Sequence, residues 1–179
     1  MKLLNFEFKA RLKDELRVRE ALKRLHARFI GTDHQTDTYF HVPGGRLKVR
    51  EGRLENALIF YRRRNVRRAR QAAVEMMLLP RRNPLRAILA RALGTLAVVD
   101  KRREIYFVKN VKIHLDRVRQ LGKFLEVEAI SRSGDVPRIR SQARQFQALF
   151  GIAARDMVAE SYSDLILAKR LPHGQTRKY

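Results

Sequence analysis

The sequence predicts an α+β fold: about eight strands in one antiparallel sheet that curls or closes into a barrel, punctuated by three main helices. Apolar and ionisable residues alternate in stretch after stretch, as in "NFEFK" (5–9), "RLKVRE" (46–51) and "FLEVEA" (124–129). A period of two is the mark of a strand with one buried face. The strands follow one another through tight connections, and antiparallel neighbours need no long crossover. A long antiparallel sheet tends to close, because closure removes its edges.

The elements follow in order. Residues 3–9 set Leu4, Phe6 and Phe8 against Asn5, Glu7 and Lys9, so this is a strand with one apolar face. Asp14 reads as an N-cap, Val18, Leu22, Leu25 and Phe29 recur at helical spacing, and Gly31 reads as the stop. Residues 35–52 read as a hairpin, "QTDTYFHV" turning through "PGG" into "RLKVRE". Two more strands are expected near 56–63 and 71–79. "NPLRAILARALG" (83–94) is a short helix with Asn83 as cap, Pro84 in the first turn and Gly94 as terminator. Strands resume near 97–108, 111–117 and 123–130. A last long helix spans about 137–150, with Ile139, Ala143, Phe146 and Phe150 on one stripe and Gly151 ending it. "ESYSDLILAKR" (160–170) reads as a final helical turn, and "LPHGQTRKY" (171–179) as a polar, disordered tail. Without repeat or linker, residues 1–170 are expected to form a single domain.

Composition narrows the function classes. At 179 residues and 21.0 kDa the chain can bury a full core. It has no cysteine, which excludes disulfides, thiolate metal sites and a cysteine nucleophile. "MKLLNFEFKARL" becomes charged too soon for a signal peptide, and no apolar run reaches the roughly 20 residues of a membrane span, so a soluble cytoplasmic protein is expected. The net charge of +22 points to polyanionic company: nucleic acid, nucleotide, polyphosphate or an anionic membrane surface.

The polar strand faces share a pattern. Arg46, Lys48 and Arg50 fall on one face, Tyr61 with Arg63, Lys101 with Arg103, and Lys112, His114 and Asp116 on others, while Glu126 and Glu128 stand together. A solvated sheet face accounts for any one of them. Across six strands the face is almost wholly ionisable, which suits a closed sheet with a charged interior. There the carboxylates would suit a hard divalent metal and the cations phosphate oxygens.

Taken in order, "NFEFKARL", "QTDTYFHVPGGRLKVREG", "ALIFYRR", "VKIHLDRVRQLGKFLEVEA" and "ESYSDLI" resemble the CYTH superfamily, the triphosphate tunnel metalloenzymes, over about residues 3–168. The resemblance is closest to the class IV adenylyl cyclase-like branch. It implies an eight-stranded antiparallel barrel forming an open tunnel, with helices packed outside. It also implies Mg²⁺ or Mn²⁺ as cofactor and ATP or another triphosphate as substrate. By resemblance Glu7, Glu126 and Glu128 are metal ligands. Lys9, Arg46, Lys48, Arg50, Arg63, Lys101 and Arg103 hold the triphosphate, Lys9 doubles as a catalytic contact, and Asp116 orients a base or the metal water. The family signature Glu-x-Glu-x-Lys falls on Asn5, Glu7 and Lys9, so its first carboxylate is replaced by a neutral amide, which lowers the expected metal affinity.

Several residues keep two readings. Asp37, Tyr39 and Tyr61 are candidates for the site; Tyr39 and Phe40 also suit a core. His114 suits a base or a hydrogen-bonded structural role, and Glu160 a cap, an ion pair or a ligand. "RRRNVRRAR" (62–70) places Arg63 in the tunnel and the remaining arginines in a basic loop, solvated or bound to nucleic acid, although no nucleic-acid module is recognisable. The expected function is cyclase-like conversion of ATP to cyclic AMP and pyrophosphate, a phosphorus–oxygen lyase reaction. The alternatives are hydrolysis of tripolyphosphate, thiamine triphosphate or a nucleoside triphosphate, and non-catalytic polyanion binding. A homodimer stays open.

Overall fold

The structure is a computed structural model that describes residues 2–170. Its elements run β1 (Lys2–Arg11), α1 (Glu15–Arg24), β2 (Arg28–Phe40), β3 (Arg46–Glu51), β4 (Ala57–Arg63), β5 (Arg70–Leu78), α2 (Leu85–Leu93), β6 (Thr95–Val108), β7 (Val111–Val118), β8 (Gly122–Ser131), α3 (Val136–Leu149) and α4 (Tyr162–Arg170). A short 3₁₀ turn, Ala154–Asp156, precedes α4. The eight strands close into an antiparallel barrel in the order β1-β5-β4-β3-β2-β6-β7-β8. The expected tail at 171–179 lies outside the described residues.

The alternating pattern splits the barrel wall into two sides. Phe6, Phe8 and Ala10 of β1, Val111, Ile113 and Leu115 of β7, and Leu125, Val127 and Ala129 of β8 point outward. They meet Val18, Ala21 and Leu22 of α1 and Ile139 and Ala143 of α3, forming the main core between barrel and helices. Each large apolar side chain buried there contributes about 1.5–3 kcal/mol. A second cluster joins Tyr39, Val99, Val118 and Phe124 to Val158, Tyr162 and Ile166. These residues lie at one set of strand ends, so α4 and the segment before it cover that end of the barrel.

Two boundaries differ from the sequence reading. Helix α1 ends at Arg24, with Leu25 as its C-cap, rather than near Gly31. His26 takes a left-handed φ of 47°, and the His26 and Ala27 N–H groups donate to Lys23 and Leu22 carbonyls. This makes the stop without glycine. The chain then enters β2, where Phe29 is 52% exposed instead of buried on a helix. Gly31, at φ 145°, sits at a register shift against β6, and a Cβ there would come within 2.9 Å of Leu54 Cδ1. Its freedom serves a bulge, not a cap. The last element, expected as a single turn, is the nine-residue helix α4.

Candidate functional site

Opposed residues in an antiparallel ladder share a face, so the registers identify the side chains aimed into the barrel. They enclose a cavity of about 690 Å³. Arg53, Leu54, Leu79, Arg81, Phe107 and Arg132 line it at the end away from α4. That end is the open mouth.

Asp37, fully buried on β2, is the anchor of one wall. Its carboxylate accepts from Lys48 Nζ at 2.8 Å, Lys101 Nζ at 2.6 Å, and Arg50 Nε and Nη2 at 2.8 and 3.0 Å. Burial pushes its pKa up, but Arg50, Lys101 and Lys48 outweigh burial and hold the carboxyl well below the usual range. Burial lowers Lys101 to about 7 despite that partner. Toward the mouth, Glu55 accepts from Arg50 Nη1 at 2.9 Å and from Lys112. Asp33 accepts the Arg53 and Glu55 backbone N–H groups at 2.7 and 3.1 Å and so fixes the loop that carries Glu55.

The opposite wall is built on Glu126. Arg103 reaches Asp116 through two hydrogen bonds of 2.7 and 2.5 Å and Glu126 through a third of 2.6 Å. Tyr162 of α4 donates to Asp116 at 2.8 Å. Lys9 Nζ lies 3.3 Å from Glu126, donates to the Glu160 carbonyl at 3.1 Å and sits 3.9 Å over the Tyr162 ring. Burial lowers Lys9 to about 8, against the pull of Glu126. Burial raises Glu126 in turn, but Lys9 and Arg103 keep it well below the usual carboxylate range.

Glu7 faces Glu128 directly across the β1–β8 ladder. It turns to arginines, with Arg63 Nε at 3.3 Å and Arg70 Nε at 3.7 Å. Arg70 is 5% exposed and donates through Nη1 to the Val66 and Val158 carbonyls, while its Nε and Nη2 have no hydrogen-bond partner. Nε thus has the Glu7 carboxylate as its nearby anion, and Nη2 is a buried guanidinium donor without a partner.

Ligand atoms of His114, Glu126 and Glu128 lie within 4.8 Å of one another. Both His114 ring nitrogens are buried without a hydrogen-bond partner, and Nδ1 stands 3.8 Å from each of the two carboxylates. Burial, aided by Arg103, lowers His114 to about 3, so it is a neutral imidazole with one nitrogen lone pair to give. Burial, aided by Glu7 and Glu126 and opposed by Lys112, pushes Glu128 up to about 7. Orphaned imidazole nitrogens between two carboxylates are a donor set that fits a divalent cation, with Mn²⁺ at ease among mixed nitrogen and oxygen ligands.

The residues selected from the sequence therefore divide. Glu7, Lys9, Lys48, Arg50, Arg63, Arg103, Glu126 and Glu128 all line the one cavity. Arg46 stands at the covered end, bonded to Asp164 at 2.8 Å and lining a separate hollow of about 320 Å³. Lys101 and Asp116 face inward too but are buried beneath the cavity lining, holding Asp37 and Arg103. His114 joins Glu126 and Glu128 where the sequence reading placed Glu7. Arg70, expected in a loop with its neighbours, is a barrel residue: it opens β5, opposite Glu7, with an even-numbered parity shared by Val74 and Met76 of the cavity wall. Glu55, Asp33 and Tyr162 were not selected. Tyr39 is buried with its hydroxyl 3.3 Å from Lys48 Nζ, so it serves core and site together.

A closed eight-stranded antiparallel barrel with a charged bore and outer helices is a triphosphate-tunnel architecture. A CYTH domain profile matches residues 3–162, and the chain belongs to this family. Its domains are metal-dependent and take triphosphate substrates. Among solved structures the fold is similar to the PH1012 protein of Pyrococcus horikoshii OT3, with TM-score 0.76 and 23% identity, covering 90% of this chain and 98% of that one. A conserved hypothetical protein of Pyrococcus furiosus gives 0.75 and 21%, covering 90% and 99%. A Vibrio parahaemolyticus protein provisionally assigned as an adenylate cyclase gives 0.73 and 17%, covering 92% and 98%. No curated protein matches the chain. Among the described residues no helix is long and apolar enough to cross a membrane.

His114 and Glu128 make opposite contributions to stability as pH changes. Between pH 4.5 and 6.5 the unfolded chain protonates His114 and the folded chain does not, so that residue adds stability as pH rises. Over pH 4.5 to 7 the folded chain keeps a proton on Glu128 that the unfolded chain releases, so that residue removes stability as pH rises. In the metal-free protein, Glu128→Gln is expected to leave the His114 contribution unopposed. Its melting temperature should climb more steeply than wild type from pH 4.5 to 6.5 in thermal melts with chelator. Parallel curves would show that Glu128 titrates normally.

Proposed function

We propose that this protein is a metal-dependent enzyme acting on a nucleoside triphosphate, with the adenylyl cyclase reaction as its chemistry. The observation that carries the reading is the meeting of two incomplete sets in one cavity. His114, Glu126 and Glu128 form the metal donor set, Lys9 and Arg63 are the cations that line the cavity beside it, and Arg70 lies buried next to them against Glu7 with Nε and Nη2 lacking hydrogen-bond partners. A bound Mg²⁺ or Mn²⁺ supplies charge neutralisation on phosphate oxygens.

The chain's own residues account for the rest. Lys9, Arg63 and Arg70 hold the phosphate oxygens and stabilise the charge that grows on the departing pyrophosphate. Lys48, Arg50 and Arg103 extend the cationic lining, braced by Asp37 and Asp116. In the reaction the ribose 3′-oxygen bonds to the α-phosphorus, the bond from that phosphorus to the bridging β-oxygen breaks, and the 3′-hydroxyl proton is released. Hydrolysis by water uses the same cavity and is the competing outcome.

The test is product analysis with ATP and with tripolyphosphate, each with Mg²⁺ and with Mn²⁺. Cyclic AMP with pyrophosphate supports the reading. Orthophosphate assigns a triphosphatase, and no product from either leaves a polyanion binder. Binding can be checked apart from turnover. Without metal, tripolyphosphate at a hundredfold excess over Kd should stabilise the native state by about 2.7 kcal/mol, seen as a raised melting temperature that chloride of equal ionic strength does not reproduce. Arg63→Ala or Arg70→Ala should remove most of that rise. Joint Arg67→Ala and Arg68→Ala, both exposed on the loop, should leave it intact. The reverse pattern would move the anion site to the loop.

A further inference from the structure

The cavity is charged on only part of its circumference. Leu3, Ile59, Val74, Met76, Leu78 and Ile130 form an apolar stretch of wall from mid-barrel toward the mouth. A tunnel built only for an inorganic phosphate chain has no use for such a wall, since apolar surface facing a polyanion costs solvation and returns nothing. Within that stretch sits one carboxamide. Asn5 is 6% exposed and lines the cavity, and its Oδ1 is buried without a hydrogen-bond partner. Its ladder neighbours on either side are Ala72 and Ile130, with Leu3 two residues before it and Glu7 two residues after. It therefore stands at the border between the apolar stretch and the charged depth where Lys9, Arg63 and Arg70 gather.

Resting on the reading above, we infer that Asn5 and the apolar wall form the subsite for a heterocyclic base carried by the triphosphate, with the Asn5 carboxamide hydrogen-bonding the edge of that base. A carboxamide offers a donor and an acceptor side by side, which matches a base edge such as the amino group and ring nitrogen of adenine. The aliphatic side chains pack against the faces of a ring. The order along the bore is consistent: phosphates lie deep among the cations, the base toward the mouth. Asn5 is on this account a specificity-determining residue, and the orphaned oxygen is satisfied when the ligand is in place.

The test is calorimetric titration of the metal-free protein with ATP and with inorganic tripolyphosphate. The wild type should bind ATP more tightly than tripolyphosphate. Asn5→Leu, which keeps the bulk and removes the hydrogen bonds, should weaken ATP binding about tenfold and leave tripolyphosphate within about twofold. Equal wild-type affinity for the two ligands overturns the inference without any variant. So does an Asn5→Leu loss equal for both ligands, which would assign Asn5 to the phosphates; in either case the triphosphate reading stands. If neither ligand binds the wild type, both readings fall.

Discussion

Replacing Asp37 by Asn is expected to cost about 3–5 kcal/mol, the usual penalty for removing one partner of a buried ion pair. The reason lies in the count of partners. One carboxylate, fully buried, is the shared partner of Lys48, Arg50 and Lys101. An amide in its place keeps the shape and leaves those cations facing one another in a medium that solvates them poorly. For a chain of this size the loss corresponds to a fall in melting temperature of about 6–20 °C. The deficit should be larger at pH 6 than at pH 9. Burial already lowers Lys101 to about 7, and without Asp37 this lysine can relieve the repulsion by releasing its proton as pH rises, whereas Arg50 cannot. Calorimetric or circular-dichroism melts of wild type and variant at the two pH values would decide it. A loss under about 1 kcal/mol would mean that the cluster is hydrated and that Asp37 does not organise it.

The second large effect concerns Lys9. Lys9→Met should reduce triphosphate turnover by about 10²–10³-fold, the scale on which a single preorganised group facing developing charge acts. Lys9 is held from three sides, by Glu126, the Glu160 carbonyl and the Tyr162 ring, so its ammonium is fixed in the cavity. Methionine fills the same space without the charge. Steady-state rates, read beside a melting curve that confirms folding, separate lost chemistry from lost structure. A variant that stays folded and keeps its rate would remove Lys9 from the reaction.

The barrel was legible because its strands alternate so regularly that each inward face could be picked out by parity alone. Lys48 and Arg50, or Glu126 and Glu128, needed nothing more. Parity does not reveal partners across the bore. Nor does it reveal which strands pair: Lys101 and Asp37 are 64 residues apart, and the β2–β6 ladder brings them to 2.6 Å. The same holds for His114, whose place beside two carboxylates depends on the β7–β8 register. Arg70 was obscured by its surroundings: in "RRRNVRRAR" it looks like one more loop arginine, although Val74 and Met76 downstream share its parity. The end of α1 was hidden for a different reason. Phe29 continues a helical spacing and Gly31 offers an obvious stop, whereas His26 in a left-handed conformation is settled by tertiary structure.

Glu126 is claimed from more sides than it can serve at once. Lys9 and Arg103 hold it, and it is also one member of the metal donor set. Once the carboxylate turns toward a metal, Lys9 lacks a counter-charge and Arg103 keeps only Asp116, so a phosphate can take the place. Once they turn toward a phosphate, the carboxylate lacks a cation and a metal can take that place. The two ligands are thus linked thermodynamically, and each must raise the affinity for the other by the same factor. On the proposed reading the tunnel is a coincidence detector: metal and triphosphate together should bind more tightly than either does alone.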